Sequence, residues 1–206
     1  MRHLIIILYL CFSATLSANE WLPGTKEPNI KILFIGNSLT YTNNLPKLVK
    51  AHAKTKGIKI KTRMVALPNY ALEDHWNDGN IQQLIATGKY DYVVVQQGPS
   101  SQQEGRDMLI DYGKKYAALC NKYHARLAYF MVWPSLQYLH TQDAVIQNYQ
   151  DAATTNNAII LPVGIAWQKH YTSSNNYDYY GPDGFHPSLK GSKAAATTIV
   201  SRLFQP

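Results

Sequence analysis

The chain has 206 residues, of which 46% are apolar and 16% charged. That is enough for one domain with a full-sized core, and too apolar for a disordered chain. The formal charge of +7 comes from basic residues spread along the chain, among them Lys47, Lys50, Lys54, Lys56, Lys59, Lys61, Arg63, Lys114 and Lys115. This is the pattern of solvated helix faces and an edge strand, or of attraction to an anionic partner such as an acidic polysaccharide; no binding motif points to nucleic acid.

In chain order, residues 1–18 read as an export signal. Arg2 and His3 are basic, Leu4 to Phe12 is apolar, and Leu16-Ser17-Ala18 is a small-residue cleavage region before Asn19. The run is short for a membrane span and no second one follows, so the mature protein is expected to be secreted or periplasmic, with no span after cleavage and a single domain over 19–206. Cleavage removes Cys11 and leaves Cys120 alone, so no internal disulfide is expected and Cys120 reads as a small core residue.

Ile30 to Ile35 is a continuous apolar run, as in a central parallel strand. A helix is predicted over Pro46 to Lys56 and ends at Gly57. Ile58 to Ala66 alternates as a second strand, with Ile58, Ile60, Thr62 and Met64 on one face. Then come a short helix over Asn80 to Thr87, a valine-rich strand over Tyr90 to Val95, and a long helix over Glu104 to Tyr123 with Leu109, Tyr112, Tyr116 and Leu119 inward. A strand over Arg126 to Val132, a helix over Asp143 to Asn156, a strand over Ala158 to Pro162 and a helix over Leu189 to Leu203 complete the set. The alternation predicts an α/β fold, a three-layer α/β/α sandwich around a parallel sheet of about five strands, flavodoxin-like in type. In such sheets the site lies beyond the C-terminal strand ends, where Gly36-Asn37-Ser38, Pro68-Asn69-Tyr70 and Gln96-Gln97-Gly98 are expected to converge with the loop carrying Asp183 and His186.

Gly36-Asn37-Ser38-Leu39-Thr40 stops a buried strand on a serine, and Asp183-Gly184-Phe185-His186 puts an acid three residues before an imidazole. Serine, histidine and aspartate are the parts of a nucleophilic hydrolase. Taken singly, each motif is also an ordinary turn. Together, in this order, they resemble the SGNH (GDSL) hydrolase superfamily over essentially the whole mature chain. The Gly-x-Ser-x-Gly elbow of the α/β-hydrolases is absent.

The resemblance implies the SGNH hydrolase fold, with Ser38 as nucleophile, His186 as general base and Asp183 as the group that orients the imidazole. It implies oxyanion donors from the backbone N–H of Ser38 and from Asn69, which stands where the family has a glycine. A third donor comes from a family asparagine that is missing here; Gln97 or Gln96 is expected to replace it, with Ser100 a weaker alternative. Asn37 replaces the family's usual aspartate and is expected to hold the turn.

The remaining histidines (His52, His75, His124, His140, His170) show no metal spacing, so no metal site and no cofactor is expected. They read as structural or surface residues, with His75 near the site. Trp76 and Trp133 follow strands two and four, where either core packing or sugar stacking would suit them. Tyr171 to Tyr180 has no helical period and reads as a rim over the pocket or a surface loop. The expected activity is hydrolysis of O-acyl esters, chiefly acetyl, on carbohydrate. The alternatives are a lysophospholipase or thioesterase of the same fold, and a carbohydrate-binding relative without turnover.

Overall fold

The structure, a computed structural model, describes residues 29–204. The export signal over 1–18 and Cys11 lie outside the described residues. The sheet is built from β1 (Ile30–Gly36), β2 (Ile60–Ala66), β3 (Tyr92–Val95), β4 (Arg126–Phe130) and β5 (Ile159–Leu161), all parallel, in the order β2-β1-β3-β4-β5. Ile32, Leu33, Phe34 and Ile35 of β1 are wholly buried, as a strand covered on both faces must be. Each such side chain stabilises the fold by about 1.5–3 kcal/mol relative to exposure. β2 is an edge strand, and its residues alternate toward solvent accordingly.

The helices are α1 (Ser38–Tyr41), α2 (Leu45–Thr55), α3 (Leu72–Asn77), α4 (Asn80–Ala86), α5 (Gln103–Lys122), α6 (Gln142–Thr155), α7 (Val163–Ser174) and α8 (Leu189–Phe204), with 3-10 turns at Thr42–Asn44 and Leu136–Thr141. α2 and α7 pack on α8, while α3, α4 and α6 pack on α5. The chain reverses direction across the sheet between β2 and β3, which sends these two groups to opposite faces. The expected three-layer parallel architecture is therefore present.

Several elements differ from expectation. β2 begins at Ile60 and β3 at Tyr92: Ile58 N–H donates back to Ala53 O in the turn after α2, while Asp91 N–H crosses to Lys31 O of β1 just before β3 begins. The buried face of α5 is Leu109, Gly113, Tyr116 and Cys120, with Tyr112 and Leu119 at its edges. α3 and α7 lack clear sequence periods. α7 extends into the segment expected to be irregular, and the hydroxyls of Thr172 and Ser174 bond back to Gln168 O and His170 O. Its anchor is Trp167, buried and stacked on Trp133 with ring centroids 3.4 Å apart. Past Asn175 the segment turns inward, and buried Tyr180 donates its hydroxyl to Pro134 O. Cys120 is buried in the core, and burial pushes its thiol up to about 12. Among the described residues no helix is long and apolar enough to cross a membrane.

Candidate active site

β1 delivers Ser38 to the C-terminal edge of the sheet. The strand ends at Gly36, Asn37 caps α1, and Ser38 is the first helical residue. The Asn37 side chain accepts from Leu39 N–H at 3.1 Å and donates to Tyr70 O at 3.0 Å. Gly36 O accepts from Leu67 N–H and from His75 Nε2, the latter at 2.7 Å. His75 is 1% exposed, and burial lowers its pKa. A neutral imidazole with its proton on Nε2 therefore braces the strand end. Ser38 itself is half-buried, and its hydroxyl bonds to no described residue.

Asp183 and His186 lie on the turn between α7 and α8. His186 Nδ1 and Asp183 Oδ2 lie 2.5 Å apart, while Asp183 Oδ1 accepts the N–H groups of Phe185 and His186, both at 3.0 Å. The bond from His186, then that from Phe185 N–H, hold the Asp183 carboxyl below the usual carboxylate range. Gly184 supplies the left-handed backbone (φ 67°) that folds the turn back on itself. Three tethers seat this turn at the strand ends: Trp133 Nε1 donates to Phe185 O, Leu136 N–H to Gly184 O, and Asn43 Nδ2 to Pro187 O. Asn43, which also reaches Ser192 Oγ, links the serine segment directly to the histidine turn. The sequence singled out neither Asn43 nor the bracing role of His75; the only trace of the first is the turn-forming Asn43-Asn44 pair.

Asn69 adopts a left-handed conformation (φ 61°), one that glycine takes freely and asparagine tolerates better than most residues. That is how the loop accepts a side chain where a glycine was expected. Neither Ser38 N–H nor Asn69 N–H is paired with a described residue.

The glutamines depart from expectation. Gln96 Nε2 donates to Asn37 Oδ1 at 2.9 Å and to Gln97 O at 2.7 Å. Gln97 Nε2 donates to Ser100 Oγ at 2.7 Å and to Gly105 O at 3.1 Å, and Ser100 Oγ donates to Gly98 O. Every side-chain amide hydrogen of Gln96 and Gln97, and the Ser100 hydroxyl, is thus committed to a protein acceptor. None of the three is free to serve as the expected third oxyanion donor. Nor is Trp133 a stacking platform: it is fully buried, and Trp76 packs edge-on against Tyr116. Among the other histidines, His170 bonds Asp178 and stacks on Tyr179, while His124 and His140 are exposed. No cluster of metal-ligating side chains occurs among the described residues.

Beside the acid lies a cleft of about 920 Å³, running from Pro99 and Gln102 past Ser135 to Thr141 and closed by Asp183, Gly184 and Phe185. Tyr138 and Leu136 are exposed in it.

No protein-family model and no curated protein matches the sequence. Solved structures do match in fold. A protein from Slackia heliotrinireducens assigned to the SGNH hydrolases superposes with a TM-score of 0.72 at 21% identity, covering 85% of this chain and 100% of that one. TesA superposes at 0.67 with 14% identity (84% and 98% covered), and the acetyl xylan esterase AlAXEase at 0.64 with 15% identity (84% and 98%). With its five-stranded parallel sheet and the serine and Asp-x-x-His turns at one sheet edge, the chain has the fold of the SGNH (GDSL) hydrolases.

Proposed function

We propose that the protein is a serine esterase that hydrolyses small O-acyl esters, chiefly acetyl, on carbohydrate. The observation that carries this is the Asp183–His186 pair, bonded through Nδ1 on a turn tethered by Asn43 to the segment that presents Ser38. With Nδ1 donating to the carboxylate, Nε2 is left as the base. It takes the proton of the Ser38 hydroxyl as Ser38 Oγ attacks the ester carbonyl carbon, then gives that proton to the leaving alcohol. The N–H groups of Ser38 and Asn69 are paired with no acceptor among the described residues and supply the oxyanion donors. Water then attacks the acyl-enzyme with His186 again as base, releasing the acid and restoring the serine. The chain's own residues fill each of these roles.

The cleft beside Asp183, lined by neither Ser38 nor His186, supports a carbohydrate substrate. It is far larger than an acetyl group needs, Asp183 is the one carboxylate in its wall, and Tyr138 offers an exposed ring beside the polar groups of Gln102, Gln137 and His140. The decisive assay is acetate release from acetylated polysaccharides and from a chromogenic acetate ester, with Ser38→Ala alongside. Release by the wild type that disappears in Ser38→Ala is the expected result. Preference for long-chain acyl esters would favour a lipid hydrolase, and tight glycan binding without any release would favour a binding protein.

A further inference from the structure

Gln96 lies where β3 ends against β1, the point at which the strand order reverses, and it is 1% exposed. Its backbone N–H donates to Ile35 O at 2.9 Å, so it is pinned to the strand that carries the serine. Its Oε1 accepts from Asn37 N–H at 2.9 Å and from Thr40 Oγ1 at 2.7 Å; its Nε2 donates to Asn37 Oδ1 and Gln97 O. The amide orientation is dictated by backbone partners, since Asn37 N–H only donates and Gln97 C=O only accepts. Asn37 passes the hold onward by accepting from Leu39 N–H. Residues 37, 39 and 40 are therefore tied to one buried amide, and Ser38 is the residue between them. A Cβ at Gly36 would overlap both Gln96 Oε1 and Thr40 Oγ1, so the glycine there makes room for this amide.

α1 has four residues, too few to hold a conformation by helical cooperativity alone. The aim of the Ser38 hydroxyl and N–H must come from outside the helix, and Gln96 is the group in place to set it. Two of the places at which the sequence departs from the SGNH pattern, Asn37 and the Gln96-Gln97 pair, also prove to be partners. Asn37 offers an N–H and a side-chain oxygen, and Gln96 answers with an oxygen and an N–H.

We propose that Gln96 is a positioning residue that sets the orientation of Ser38 through Asn37 and Thr40, and that it does not itself contact the developing oxyanion. The catalytic part of this rests on Ser38 being the nucleophile. The clamp itself does not, and the two can fail separately.

The test uses the mature chain and the variants Gln96→Ala, Asn37→Ala, their double, and Thr40→Val. Amide hydrogen exchange at Asn37 and Leu39, whose N–H groups the clamp holds, reads it without substrate. We expect exchange about tenfold faster in Gln96→Ala; unchanged exchange overturns the proposal even if no ester is ever turned over. On a chromogenic acetate ester, Gln96→Ala is expected to lower kcat by about 10²-fold with KM within about twofold, because a small misplacement of the nucleophile acts on the chemical step. The double variant is expected to be no worse than about twofold below the poorer single, since both break one linkage. Additive losses would instead make Gln96 an independent contact to the reacting group, and an unchanged kcat would make the clamp idle; either result overturns the proposal. If Gln96→Ala does not fold, Thr40→Val removes one bond to the same oxygen without emptying the site. It should lower kcat about three- to tenfold, and wild-type kcat with wild-type exchange in that variant overturns the proposal.

Discussion

Asp183→Asn separates the chemistry from the fold. The Asp183 carboxylate accepts three bonds, two from backbone N–H groups on Oδ1 and one from His186 Nδ1 on Oδ2. An asparagine keeps its oxygen toward the two N–H groups, because the reverse orientation would face donors with donors. Its NH2 then faces His186 Nδ1, which must present a lone pair, and the imidazole proton moves to Nε2. That nitrogen can no longer accept the proton of Ser38. The same exchange in a serine protease triad costs about 10⁴ in kcat, equivalent to about 5.4 kcal/mol, and a loss of about 10³ to 10⁴ is expected here with KM little changed. Stability should hardly move. The two side chains are 37% and 52% exposed, and a pair that open to solvent is worth less than about 1 kcal/mol. The measurements are steady-state hydrolysis of a chromogenic acetate and a urea unfolding curve. A loss of kcat under about tenfold, or a fall in stability that accounts for the lost activity, would refute the tautomer argument.

Four further outcomes are expected. Asn37→Asp restores the commoner Gly-Asp-Ser sequence, yet it should lower kcat about tenfold, because a carboxylate cannot donate to Tyr70 O; wild-type turnover would contradict the pairing of Asn37 with its neighbours. Gly113→Ala improves helix propensity in α5, but its Cβ would overlap the Tyr129 hydroxyl and press on Asn156 Nδ2; a net destabilisation of about 1–3 kcal/mol in urea is expected. Cys120, buried and with its thiol pushed up to about 12, should resist a thiol reagent in the native state and react only on unfolding; rapid native labelling would place it elsewhere. His75 is lowered by burial, so the unfolded chain takes up its proton first. Its share of stability is present above the ordinary imidazole value of about 6.5 and is lost as pH falls through and below it. His75→Gln, which keeps a donor for Gly36 O, should flatten the stability profile below about pH 6.5, and an unchanged slope would argue against a neutral His75.

Some features of this fold are set by neighbouring residues and others by distant ones. Ile32 to Ile35 had to be a strand buried on both faces, since no other place in a domain of this size accepts such a run. The alternation of strands and helices then decides the parallel sheet and the edge at which a site forms. The Asp183–His186 pair is local as well, because three residues and a left-handed Gly184 bring carboxylate to imidazole whatever surrounds them.

What the sequence left open depends on partners far along the chain. An amide after β3 can donate to an oxyanion or to protein. That Gln96 does the latter follows from Asn37, 59 residues earlier, arriving opposite it when β1 pairs with β3. Trp133 could have faced solvent, and it is buried because Trp167 of α7 stacks on it from a helix with no clear period of its own. Asn43 reads as a turn residue until α8 places Ser192 and Pro187 against it, 149 and 144 residues away. Sequence by itself determined the strands, the layer order and the residue types offered to the site, because hydrophobic periodicity and short-range turn chemistry are local. Tertiary structure alone decided which polar groups are free to act and which are spent on holding others, because a buried hydrogen bond is satisfied by whatever the fold brings within 3 Å or so of it.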